Sequence, residues 1–561
     1  MSQTTRRETG ADERRAMTTP DSRLTFPRAE AGGFQAVIHR ARMEDRLQLV
    51  LRSGVRVAAS AGRVTVHLPI PCTDGVFFRM DDGALVVGTD LRTLVRAGDS
   101  LNGAGIVSLL TFGAVVPPYT PYAGIAALLP GRTYEIGPDT IEPRVTATCT
   151  WSTPDPADRS LQTDEQERTL ARVLDGVMRR SCPSHDPVIL FSGGVDSSVL
   201  ALRAASMGWR GTRLMHGSFG VEHPATVAAQ AIAGILGLRL DVTPCDPARG
   251  YAALSEAGRL FRFPFGDHAC VPTHALALDV AESCAPGSVI LDGTGADADF
   301  GLFGRSANAA RAYRIPAMVR AAFGCAYGPL GLYARPGPLE RHIRMLRRSA
   351  LMTPIAFLAA HNPLAGIGYE ATREELQALC DACEALANAA GPAGDLQVRG
   401  PLLDNALWNA YAAAQKCRPQ LLMAGLTPSY PFMEQPIVDL ALAHARFWPY
   451  QSEPKSALKR MLARRIPPDL VYRAKLGFTA PQEDQFAHPV MLEHLRAAAD
   501  TSAPLASRIR PRVLKKLVDC VRARRVLPVQ TYNYLWSLAF SNTWLSQVAS
   551  ATPSLVERTD Q

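Results

Sequence analysis

Long hydrophobic runs are missing from this chain. No stretch reaches the ~18 uninterrupted apolar residues that a membrane-spanning helix needs. The opening segment, MSQTTRRETGADERRAMTTPDSR, has no apolar core either. A secretory signal is therefore not expected, and residues 1–30 read as a disordered tail on a cytoplasmic protein without a membrane partner. Cysteine is present, 11 times, but without regular spacing, and the count is odd. That suits reduced thiols rather than a disulfide framework. The single CxxC, Cys380 and Cys383 in EELQALCDACEALANAA, lies in a helical pattern with both thiols on one face. No second pair completes a metal set, so core packing is the expected role.

Acidic residues are nearly absent from 305 to 350. Nine arginines stand there against Glu340 alone, in a chain whose whole excess is +8. Aromatic and RNA-motif signals are also lacking, so nucleic acid is not the expected partner. Two readings stay open: solvated helix faces, or a docking surface for an acidic partner or peptide. The rest of the composition is that of a packed protein, 47% hydrophobic and 20% charged over 561 residues. That length suggests about two to four domains.

Texture divides the chain. From about 33 to 150, short segments such as FQAVIHRA, RLQLVLR, RVTVHL, GVFFRM and ALVVGT alternate with Gly, Asp and Ser. They predict a mostly antiparallel sheet region over 31–150, with one helix at GAGIVSLLTFG. Residues 151–165, WSTPDPADRSLQTDE, read as a linker. From 166 to 545, strands VILF, TRLMHGSF, RLDVTP and SVILDG alternate with helical segments, which predicts βαβ units and a parallel sheet covered on both faces. Beyond about 305 the pattern is helical, and 546–561 reads as a second tail.

Within this pattern, VILFSGGVDSSVLA (188–201) runs from a buried strand through Ser-Gly-Gly into a helix. Such a turn sits at the carboxyl edge of a parallel sheet, where ligands bind. Gly193 and Gly194 allow a tight turn and close approach of backbone N–H groups to an anion. Leu190 ends the strand beneath. Ser192, Ser197 and Ser198 add hydroxyls, and the following helix directs its positive end at the same point. Asp196 would repel phosphate unless a magnesium ion bridges the two. There is no GK[ST], so this is not a Walker loop.

The segment resembles the SGGxDS pyrophosphate loop of the ATP pyrophosphatase superfamily. LDGTGADADFG resembles the GxGxDExFGG segment of asparagine-synthetase-B-like enzymes, which implies Asp297 as a second magnesium ligand and Asp292, Gly293, Thr294 and Gly295 beside the nucleotide. KSALKRML and VYRAKLGFTAP resemble that family's later lysine motifs. They imply Lys455 on the departing pyrophosphate, Lys475 near the adenylate, and Arg473 supporting the same face. PFMEQPIVDLAL resembles a further structural segment. The resemblance implies an α/β protein: a degenerate glutaminase-like α+β sandwich domain, then a parallel-sheet ATP-pyrophosphatase (adenine nucleotide alpha hydrolase-like) synthetase domain with a helical C-terminal part. ATP and Mg2+ are the implied cofactors.

The chain departs from the glutamine-dependent enzymes. It begins Met1-Ser2 rather than with cysteine, its first cysteine is Cys72, and the glutamine-holding motifs RGPD and NGEIYN are absent. The first domain is thus expected to be a relic. Two relatives without that cysteine make intramolecular amides, β-lactam synthetase and the lasso peptide cyclase. Thr294 stands where asparagine synthetases carry Glu and β-lactam synthetases Tyr, and Ala298 replaces the second acid. An α-amine with a pKa near ~8 needs no strong base. The favoured reading is a lasso peptide macrolactam synthetase acting on a precursor peptide and releasing AMP and pyrophosphate, with a leader-binding protein and a leader protease as pathway partners. The alternatives are an amide ligase acting on a small amino acid, like β-lactam or asparagine synthetase, and a non-catalytic scaffold that retains the ATP fold.

Overall fold

The structure is a computed structural model. It describes most of 47–136, residues 143–148 and most of 163–551, together with two strands nearer the N-terminus. Two five-stranded antiparallel sheets fill the first part. One runs in the order Leu24–Thr25 (β1), Gln35–His39 (β2), Ala84–Gly88 (β7), Phe77–Asp81 (β6), Ile125–Ala127 (β8). The other runs Arg144–Thr148 (β10), Arg132–Ile136 (β9), Arg63–Leu68 (β5), Arg56–Ser60 (β4), Leu47–Val50 (β3). In β5, Val64, Val66 and Leu68 are buried and alternate with more exposed neighbours, as a strand with one covered face requires. They share a core with Val57, Tyr134 and Ile136 of their own sheet and with Val87 of the other, so the two sheets pack face to face. β1 lies inside the stretch expected to be tail, and it pairs with β2.

The third sheet is parallel throughout. Its order is Arg239–Pro244 (β13), Arg213–Ser218 (β12), Val188–Leu190 (β11), Val289–Leu291 (β14), Thr427–Ser429 (β15). β15 is one short strand within the region expected to be mainly helical. Its sequence, Thr-Pro-Ser, carries no strand signature, and Pro428 is tolerated because β15 is an edge strand. The chain starts in the middle with β11, builds outward to β13, then returns to place β14 on the other side of β11. The strand order therefore reverses between β11 and β14, and the loops after these two strands lie side by side at the carboxyl edge. The last helix, Val529–Ala551, continues past 545 into the stretch read as tail.

Helix Gly103–Phe112 is buried along nearly its whole length. Asn102 caps its start, accepting from the Gly105 N–H at 3.2 Å, and Gly113 ends it in the left-handed region (φ 68°). It packs against Arg373–Asn388 and Val529–Ala551, which places it in the core of the helical region. Cys380 and Cys383 are buried in that same core, as packing residues.

A buried ion cluster also joins the two parts. Asp74, between β5 and β6, is 2% exposed. Its carboxylate meets Arg418 at 2.7 Å and Arg262 at 3.2 Å. Burial pushes the Arg262 guanidinium below the usual arginine range, and Asp74 opposes that shift. Replacing Asp74 with Ala would leave two largely buried cations uncompensated. The expected loss is about 3–5 kcal/mol, read as a lower midpoint in urea denaturation.

Candidate active site

Beyond β11 the chain turns through Phe191–Gly194 and enters helix Val195–Ser206. Gly193 has φ 68°, and a Cβ there would meet the Ala229 nitrogen at 3.0 Å, so only glycine fits. A Cβ on Gly194 would meet only the Ser192 hydroxyl, at 3.2 Å. That side of the turn is otherwise open. No side chain caps the helix start. Ser192 and Ser197 shape the turn: Ser192 Oγ accepts from Gly194 N–H, and Ser197 Oγ accepts from Ser192 N–H, each at 3.2 Å. Ser198 is buried, with its Oγ lacking a partner. Leu190 is half-buried in the sheet beneath. His216 on β12 is buried and holds the Phe191 carbonyl through Nδ1 at 2.8 Å, and burial lowers its pKa, which favours the neutral ring.

The loop after β14 presses against this turn. A Cβ on Gly293 would meet Asp196 Cβ at 2.9 Å. Asp292 Oδ1 accepts from the Thr294 N–H at 2.8 Å and from its hydroxyl at 2.9 Å. Thr294 is thus a hinge of the turn. Gly295 has φ 107°, and its open side is closed by Phe432 and Met433 of the PFMEQP segment, which follows β15. Helix Ala296–Gly301 then carries Asp297.

Both aspartates meet at Lys455. Its Nζ lies 2.6 Å from Asp196 Oδ2 and 2.9 Å from Asp297 Oδ1. Lys455 is 6% exposed and stands at φ 60°, the left-handed region, at the start of helix Ser456–Ala463. Such a conformation in a non-glycine residue costs ~1–3 kcal/mol and persists only where the surroundings enforce it. Here the Lys455 N–H is bonded to the Phe300 carbonyl at 2.7 Å. Burial opposes the ammonium charge, but the two carboxylates more than offset it, and its pKa is raised. Asp297 remains half exposed, at 51%, so the pair opens to solvent.

This donor set fits magnesium. Two carboxylates from separate loops converge on one cation, beside an open turn suited to phosphate, and magnesium takes few carboxylates plus phosphate oxygens. In this structure the Lys455 ammonium lies between the two carboxylates. Among the described residues no group of three or more His, Cys, Asp or Glu side chains forms another metal site. Arg473 donates from Nη2 to the Gly193 carbonyl at 2.8 Å, bracing the turn from outside. Phe478 lies against Phe219, with ring centroids 5.4 Å apart, and close to Gly217 on β12. Arg473 and Phe478 thus both lie at the same sheet edge. Lys475, between them, lies outside the described residues.

Sequence reasoning missed a second acidic layer. Asp299 is buried, bonded to Asn405 Nδ2 at 2.7 Å, and burial holds its carboxyl well above the usual range. Asp404 meets Arg305 at 3.3 Å, and burial pushes it up to about 6. The signal available was Asp-Asn set inside the apolar run PLLDNALWNAYAAA, where polar pairs need a buried partner.

A protein-family model described as asparagine synthase matches residues 169–546. No curated protein matches the chain.

Because Lys455 competes with a divalent ion for the same two oxygens, Lys455→Met should tighten Mn2+ binding by ~10-fold without nucleotide. Isothermal titration calorimetry reads this directly. Weaker or unchanged Mn2+ affinity would remove the aspartate pair from the metal role.

Proposed function

We infer the function from one premise: this chain belongs to the asparagine synthase family, and membership implies an ATP-dependent amide-forming ligase. Within that class we propose macrolactam formation in a ribosomal lasso peptide. An Asp or Glu side chain of the peptide is adenylated, its own N-terminal amine attacks, and AMP and pyrophosphate are released. The observation that carries the ligase chemistry is the convergence of Asp196, Asp297 and Lys455 at the mouth of the Gly193–Gly194 turn.

In this mechanism the turn and the start of helix Val195–Ser206 bind the β,γ-phosphates. Asp196 and Asp297 hold magnesium, which when bound neutralises phosphate charge. The substrate carboxylate oxygen attacks the α-phosphorus, and the α–β bond breaks with its electrons on pyrophosphate. Lys455, released from the aspartates, stays beside the departing anion. Lys475 stabilises the negative charge that develops when the amine adds to the acyl carbon. The amine nitrogen then loses its proton as AMP leaves with the C–O electrons. Thr294 takes no part as base, because its hydroxyl already donates to Asp292.

Two features support an intramolecular amide over glutamine-dependent amidation. The glutamine-holding motifs are absent. Cys72 is buried at 1% exposure, with its Sγ donating to the Asp74 carbonyl at 2.9 Å, which is no arrangement for an accessible nucleophile. The two-sheet sandwich then serves as a glutaminase-like relic fixed to the synthetase region. The arginine-rich helices after the second motif supply surface for a peptide and for leader-processing partners.

Pyrophosphate release with Mg2+ and a candidate precursor peptide tests this. Asp196→Asn should reduce the rate by at least ~100-fold. Lys475→Ala should abolish ring closure and leave nucleotide affinity nearly intact. Absence of release with every carboxylate substrate would overturn the ligase reading and favour a non-catalytic scaffold.

A further inference from the structure

A cavity of about 380 Å³ opens between helices Phe303–Tyr313 and Pro338–Leu351, with Arg305, Arg311, Arg341, His342, Arg344 and Arg348 on its walls. Five guanidiniums in one concavity repel each other, and the repulsion grows as water is excluded. Two have local counter-charges. Arg305 meets Asp404 at 3.3 Å, and Arg344 meets Glu340 at 3.1 Å. Among the described residues no carboxylate pairs with Arg311, Arg341 or Arg348. Glu340, the lone acid of this stretch, is itself 3% exposed, and burial raises its pKa. Among the described residues its one ion-pair partner is Arg344, so it leaves Arg311, Arg341 and Arg348 without a carboxylate.

Arg348 shows the tension most clearly. Its guanidinium lies over the Phe357 ring, 4.4 Å from the centroid, and donates to the Phe357 carbonyl. Its Nε is buried without a hydrogen-bond partner. Burial, with Arg305 and Arg344 nearby, pushes its pKa down to about 9. A buried guanidinium with an unpartnered donor and no carboxylate of its own is destabilising by itself, and an anionic ligand would supply the missing charge.

The cavity's place in the fold narrows the ligand. Its first wall follows directly on helix Ala296–Gly301, which bears Asp297. Arg305 reaches Asp404, whose carboxyl feels the charge of Asp297. A ligand here therefore lies against the helix that follows the one bearing Asp297, on a wall that does not include the glycine turn. The apolar surface of Met345 and Phe357 suits the methylene groups of carboxylate side chains better than bare phosphate. The volume lies in the range of small-ligand pockets, ~300–1,000 Å³, enough for a few side chains.

We propose that this cavity is an anion subsite for an acidic segment of the peptide substrate, gripping two or more carboxylates while another carboxyl group of the same molecule is acylated at Asp196–Lys455–Asp297. This deepens the macrolactam reading and rests on it for the identity of the substrate. Multidentate guanidinium–carboxylate pairing supplies both affinity and register.

The test uses the full chain and a fluorescein-labelled tetraglutamate peptide, with tetraglutamine as control, read by fluorescence anisotropy. Tetraglutamate should bind, tetraglutamine should not, and added salt should weaken binding. Arg311 and Arg341 are both exposed, so the double variant R311Q/R341Q should keep the fold, checked by circular dichroism and by nucleotide affinity. It should bind tetraglutamate at least ~10-fold more weakly. Equal tetraglutamate binding by both proteins would overturn the proposal. Displacement by inorganic triphosphate at lower concentration than by unlabelled tetraglutamate would overturn it too, in favour of a phosphate site. Failure of this binding test leaves pyrophosphate release intact, whereas failure of pyrophosphate release leaves the binding result intact, so the two readings fall separately.

Discussion

A single ammonium group ties three distant pieces of chain together. Lys455 joins Asp196, 259 residues earlier, to Asp297 on a separate loop. Neither carboxylate belongs near the other without a cation between them, and the lysine is held there in a backbone conformation it would not choose alone. The same convergence gathers two carboxylates and one ammonium at the mouth of the Gly193–Gly194 turn.

The sheet makes that convergence available. Because β11 and β14 are neighbours and the strand order reverses between them, their two loops emerge at one edge. Gly193 and Gly293 then let backbone and side chains approach to distances that any Cβ would prevent. The N-terminal sandwich contributes at longer range. Its Asp74 and its helix Gly103–Phe112 are built into the core of the helical region, so it acts as a fixed support rather than an appended module. The arginine cavity opens between the helix that follows Asp297's helix and helix Pro338–Leu351.

Much of this was legible in particular residues. The period-two pattern of RVTVHL and its neighbours gave strands where they occur, since one buried face leaves a local trace. Ser-Gly-Gly before Asp-Ser-Ser, after a buried strand, marked the turn, because its backbone demands glycine. Thr-Pro-Ser of β15 left no such trace, since an edge strand of three residues is decided by its neighbour β14. Asp299 and Asn405 were equally hidden, as their pairing spans 106 positions.

The amino-acid order by itself determined a glycine turn open to an anion after a buried strand, and a run of arginines without matching acids. Both follow from local side-chain type and backbone freedom. The second acid and the lysines were marked only by resemblance to the family's motifs. Only the tertiary structure decided that Lys455 sits between both aspartates, that Arg473 braces the Gly193 carbonyl, and that the arginines surround one cavity between two helices. These are contacts across hundreds of residues, fixed by how strands order and helices pack, and no local pattern encodes them.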